Sequence, residues 1–146
     1  MCKQKSTLTR PKLYSTMKAI DYDMWLSLIT YAKLMGDLGL YTDADRYFGE
    51  AVRNATTYSQ RAYIYYVWSS MYQDTRAVEL LEMALRYHRP DERSVDELGS
   101  WIHYFLSINL RGMGQLEEAK EHANLAKALH PSEFAPDLLE DLEDFA

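Results

Sequence analysis

The stretch Gly114-Gln-Leu-Glu-Glu-Ala-Lys-Glu-His-Ala-Asn-Leu-Ala-Lys-Ala-Leu-His-Pro131 decides the fold. It opens on a turn glycine and closes on a proline, which cannot continue a helix. Between them Ala119, Ala123 and Ala126 recur at helical spacing on one narrow face. So small a face lets a second helix approach closely. The pattern recurs as Ala44, Phe48, Ala51 and as Ala77, Leu81, Ala84. Helices that nest in pairs are therefore predicted three times along the chain.

Composition agrees with this. Of 146 residues, 47% are hydrophobic and 26% charged, the balance of a globular chain. A chain this long buries roughly 68–70% of its unfolded surface as one domain. Helix formers dominate, valine is scarce and no run alternates with period two, so the expected class is all-α. No apolar run approaches the roughly 18 residues of a membrane span, and the N-terminus does not read as a secretory signal. Cys2 is the only cysteine, which fits a reducing, cytoplasmic setting.

The net charge of −6 is unevenly spread. Residues 1–20 hold Lys3, Lys5, Arg10, Lys12 and Lys18 and no acid. The rest holds the other 11 basic residues and all 22 acidic ones. An acidic body repels phosphate backbones, so nucleic acid is not an expected partner.

Reading in order, residues 1–20 form a basic arm in which Leu13, Met17 and Ile20 share a helical face. Helices are predicted from about Tyr22 to Gly36, Tyr41 to Asn54, Tyr58 to Tyr72 and Thr75 to His88. The spacing of Ser94 and Glu97 suggests a capping box opening a fifth helix that ends at Arg111. The opening stretch is the sixth. Beyond Pro131, residues 132–146 predict an acidic capping helix with Phe134, Leu138, Leu142 and Phe145 as its apolar stripe. Its acidic faces either stay solvated or dock onto the basic arm.

The repeats resemble the tetratricopeptide repeat, a helix–turn–helix unit of about 34 residues. The matching residues are Leu28, Tyr31, Ala32, Met35, Gly39, Tyr41, Ala44, Phe48 and Ala51 in a first unit, residues 22–55. In a third unit, residues 94–131, they are Leu106, Ser107, Leu110, Gly114, Ala119, Ala123, Ala126 and Pro131. A middle unit, residues 58–89, keeps Ala77, Leu81 and Ala84 but has no turn glycine, and bulky Tyr65 stands where the family has a small residue. The resemblance implies three stacked hairpins over residues 21–131, with caps at both ends.

The resemblance further implies a concave groove lined by the first helix of each hairpin. Carried over position by position, the lining is Leu26, Ile29 and Lys33, then Ala62, Tyr66 and Ser69, then Trp101, Tyr104, Ile108 and Arg111. Ile29 occupies a place where the family's carboxylate clamp needs a polar residue, which disfavours an acidic C-terminal peptide as ligand. Two readings of the aromatics stay open: they are core, or they grip an apolar segment of a protein partner.

Signals for catalysis are thin. His88, His103, His122 and His130 are scattered, none at metal-ligand spacing with another on one helix, and all four read as structural. Glu118 and His122 read as an exposed i,i+4 pair. Gly112-Met-Gly114 is a turn without a preceding strand, not a phosphate loop. The expectation is a non-enzymatic adaptor or small chaperone-like protein that binds a peptide or helix, with no cofactor, no metal and no membrane association. The alternative is a self-assembling structural module, a homo-oligomer stacking through repeat ends or charged termini.

Overall fold

The computed structural model describes residues 24–90 and 96–129. Among them are six helices and no strand: α1 (Met24–Asp37), α2 (Tyr41–Asn54), α3 (Tyr58–Ser69), α4 (Asp74–Tyr87), α5 (Glu97–Gly112) and α6 (Leu116–Leu129). The protein is all-α. Neighbouring helices pack as the pairs α1–α2, α3–α4 and α5–α6, and α4 also packs on α5. The chain divides into two compact units at the Ala55–Thr56 junction, one holding α1–α2 and the other α3–α6. The expected helix within residues 1–20, the Ser94 cap, and the acidic helix of residues 132–146 lie outside the described residues.

All nine ridge residues are at most 2% exposed: Ala44, Phe48, Ala51, Ala77, Leu81, Ala84, Ala119, Ala123 and Ala126. On α6 all three ridge residues are alanines, so this close-packed face leaves no room for a longer side chain. Ala123→Leu is expected to destabilise by about 1–3 kcal/mol through overpacking. Chemical denaturation checks it, and an unchanged midpoint would mean that this face of α6 is not close-packed.

The first and third hairpins turn in the same way. Gly39 and Gly114 have φ of 79° and 81°. Leu40 N–H reaches Met35 O at 2.9 Å and Gly39 N–H reaches Gly36 O at 3.0 Å. At the other turn Gln115 N–H reaches Leu110 O at 2.9 Å and Gly114 N–H reaches Arg111 O at 3.0 Å. Both are Schellman closures, with glycine at the left-handed position where a Cβ is costly.

The middle hairpin solves the turn without glycine. α3 ends at Ser69, three residues earlier than its aromatic periodicity predicts. Ser69 and Ser70 hydroxyls donate back to Tyr66 O (2.5 Å) and Val67 O (2.6 Å), competing with the helical ladder. Asp74 then adopts φ 57°, a left-handed conformation that Asp tolerates better than most residues. Its N–H donates to Asn109 Oδ1 of α5 at 2.8 Å, and Asn109 Nδ2 donates to Phe105 O at 2.8 Å. The turn is thus held by the next hairpin.

Tyr65 does not act as a wedge. Its ring lies flat along the hairpin, stacked on Trp68 (5.8 Å, 13°) and on Tyr87 (5.8 Å, 2°). The second unit's core comprises Val78, Leu81, Ala84, Ile102, Leu106, Leu110 and Ala119, with Tyr65, Tyr66 and Phe105 packed on it.

Candidate partner-binding face

α5 carries Trp101, Tyr104, Phe105 and Ile108 at steps of three and four, so they share one side of the helix. α3 presents Tyr63 and Tyr66. Five rings form one connected cluster within the second unit. Tyr63 and Tyr66 lie 6.3 Å apart, and Tyr66 meets Phe105 at 6.0 Å. Phe105 stacks on Trp101 at 5.8 Å and 23°, and meets Tyr104 edge-on at 5.1 Å. Trp101 and Tyr104 are edge-to-face at 5.7 Å. Offset and edge-on arrangements of this kind add to the burial energy of the rings.

The cluster stands on small residues. Trp101 and Tyr104 pack on Ala123 and Ala126 of α6. Ser100, fully buried, donates from Oγ to Ala126 O at 2.9 Å and ties α5 to α6 beneath the rings. Ser107 Oγ donates to Tyr104 O at 2.6 Å. Burial, with the neighbouring Tyr63 phenol, pushes Tyr66 up to about 12. Its hydroxyl therefore stays protonated at any physiological pH.

The second unit thus brings Tyr66, Trp101 and Tyr104 together as half-buried rings, with Ile108 39% exposed and Arg111 exposed on the same helix. Ala62 and Ser69, expected in the lining, are buried and offer no surface. In the first unit Leu26 is 41% exposed and Lys33 is exposed, whereas Ile29 is only 3% exposed and sits in the core. Phe105, absent from the expected lining, is the ring that connects α3 to α5. Its i+4 spacing from Trp101 is the signal that would have found it.

No protein-family model, curated protein or solved structure matches this chain. Among the described residues no helix is long and apolar enough to cross a membrane.

The histidines depart from the sequence expectation. His103 of α5 and His122 of α6 are not scattered: their Nδ1 atoms lie 2.8 Å apart and their rings stack at 5.1 Å and 24°. His122 is half-buried, not the exposed partner of Glu118 that its i,i+4 spacing suggested. Burial pushes His103 down to about 4, helped by His122 and opposed by Asp96. Burial also lowers His122, against the pull of Glu118, Glu121 and Glu82.

A third histidine closes a corner. His88 Nε2 lies 2.7 Å from Asp96 Oδ1 and 2.9 Å from Oδ2. Asp96 also accepts from Gly99 N–H at 2.9 Å and is the N-cap of α5. The helix therefore starts at Glu97 on an aspartate cap. Among the described residues no group of three or more His, Cys, Asp or Glu is placed to hold a metal ion.

Proposed function

We propose that this chain is a non-catalytic protein-interaction module of the tetratricopeptide type, an adaptor or small chaperone-like protein acting in the cytoplasm. It grips an apolar peptide or helix of a protein partner against the aromatic face of α3 and α5. The observation carrying this reading is the Tyr63–Tyr66–Phe105–Trp101–Tyr104 cluster running into exposed Ile108. Tyr and Trp anchor interfaces because they bury much area at small entropic cost, and central ones are worth about 2 kcal/mol or more. The repeat type is supported by the buried ridges and by two identical glycine turns.

The test begins with the full chain used as bait at native expression level. Affinity for the partner it retains is then measured. Ile108→Asp lies on the surface and should weaken binding more than tenfold with the melting temperature unchanged. Trp101→Ala with Tyr104→Ala should abolish binding. A folded Ile108→Asp variant that binds as the parent does would move the site off this face. Light scattering of the free chain separates the self-assembly alternative, which requires a concentration-dependent and salt-sensitive oligomer.

A further inference from the structure

α1 is apolar on both sides. Its inner side, Met24, Leu28, Ile29 and Ala32, is buried. Its outer side carries Leu26, Tyr31, Leu34 and Leu38, which are 41–64% exposed. A helix that is apolar all round is normally a covered one, and an exposed apolar patch marks a contact surface. This face is prepared for drying. Thr30, in its middle, already donates from Oγ1 to Leu26 O at 3.0 Å, so covering it strands no donor. Tyr31 is held edge-on against Tyr47 of α2 at 4.8 Å and 80°, a braced ring of the kind that anchors interfaces. Ser27, Thr30, Tyr31, Lys33, Leu34 and Asp37 line a shallow depression of about 580 Å³. The two charges among them are opposite, and among the described residues neither Lys33 nor Asp37 has an ion-pair partner.

We propose that this face of α1 is a twofold interface, on which a second copy of the chain packs its own α1 antiparallel. The face is complementary to itself, because it is apolar and carries one charge of each sign. Tyr31, Leu34 and Leu38 recur at steps of three and four, the spacing of a seam between paired helices. With Tyr31 set opposite Leu38 of the copy, Leu34 lies beside its own equivalent and fills the depression. In that register Lys33 comes within about 1.5 Å, along the axis, of Asp37 of the copy. Twofold symmetry makes this pair twice, and isologous dimers of this kind are the commonest closed assemblies. The two chains, each of net charge −6, repel at long range. The apolar seam therefore holds the contact, and the charge pairs set its register. The interface goes beyond the partner-binding reading and uses the first unit alone, so it stands or falls separately from the aromatic face of α3 and α5.

The experiment is sedimentation velocity of the full chain from about 1 to about 100 μM, in low and in half-molar salt. The expected result is a monomer–dimer equilibrium with a micromolar dissociation constant, no larger species, and a dimer that persists in the higher salt. Leu34→Asp, at a solvent-facing position, should leave a folded monomer across the whole range. Lys33→Asp and Asp37→Lys should each weaken the dimer about fivefold or more, because each sets like charges together twice. An equimolar mixture of those two variants should regain the parent's affinity as a heterodimer. A parent that stays monomeric at the top concentration overturns the proposal, and is the result expected if residues 1–20 cover the face through Leu13, Met17 and Ile20. Masses that keep growing beyond two chains, or an oligomer that salt dissolves, overturn it in favour of stacking through repeat ends or charged termini. A dimer retained by folded Leu34→Asp places the interface elsewhere. Should that variant fail to fold, the mixture decides, and failure to regain affinity excludes the twofold register.

Discussion

Phe48→Ala is expected to remove about 3–5 kcal/mol from the α1–α2 hairpin, the cost of emptying a large core position that the surroundings only partly refill. Phe48 is fully buried and is the largest such side chain in that hairpin. Its ridge neighbours Ala44 and Ala51 are too small to close the space, and the facing helix offers Leu28 and Ala32, already buried. A unit of about 55 residues buries only about 60% of its unfolded surface, so its reserve is of the same order as this loss. The hairpin should therefore lose its structure altogether. Amide hydrogen exchange over residues 24–55 is the direct measurement, and protection in α2 should collapse. Phe48→Leu, which keeps most of the volume, should cost less than about 1.5 kcal/mol. Retained α2 protection in the alanine variant would show that the ridge does not hold the pair together.

The ridges were readable because they are local. Three apolar residues at helical spacing, with alanine at both ends, carry the same message wherever they occur, and each turned out buried. The glycine turns were readable for a similar reason: a left-handed residue at a helix end has few candidates. The place of the middle turn was readable, just ahead of the helix predicted from Thr75, but its chemistry was not, because its replacement for glycine is held from 35 residues away. Asp74 is a plausible left-handed residue only once Asn109 is known to accept its N–H. The early end of α3 was hidden by aromatic periodicity that runs on to Tyr72, while two serine hydroxyls quietly take over the carbonyls.

The site was legible in part. Trp101, Tyr104 and Tyr66 are lining positions that the resemblance implies, and their rings do form one cluster. Ile29 shows the limit. Position within a helix predicts a face, but whether that face meets solvent depends on neighbours that periodicity does not name. The histidine pair lies beyond sequence reading for a different reason. His103 and His122 are 19 residues apart on two helices, and a small rotation of either helix would separate their nitrogens by several ångströms.

Asp96→Ala should cost about 2–4 kcal/mol, more than an ordinary helix cap. The carboxylate accepts from Gly99 N–H and so satisfies one of the open donors at the start of α5. Losing a cap of this kind alone costs about 1 kcal/mol. The same carboxylate faces His88 Nε2, and both side chains are nearly buried. His88 is the residue that ends α4, its N–H bonded to Ala84 O at 2.9 Å. Removing the carboxylate leaves the imidazole N–H without its acceptor in a place water scarcely reaches, which adds about 1–3 kcal/mol. The glycine three residues into the helix belongs to the same arrangement, because a Cβ at Gly99 would land on the Asp96 carboxylate. Asp96→Asn keeps an acceptor oxygen for the cap and a neutral partner for the ring, so it should recover at least half of the loss. Denaturant unfolding of the three proteins measures both differences. Equal stability of the alanine variant and the parent would mean that the α4–α5 corner is closed by packing alone.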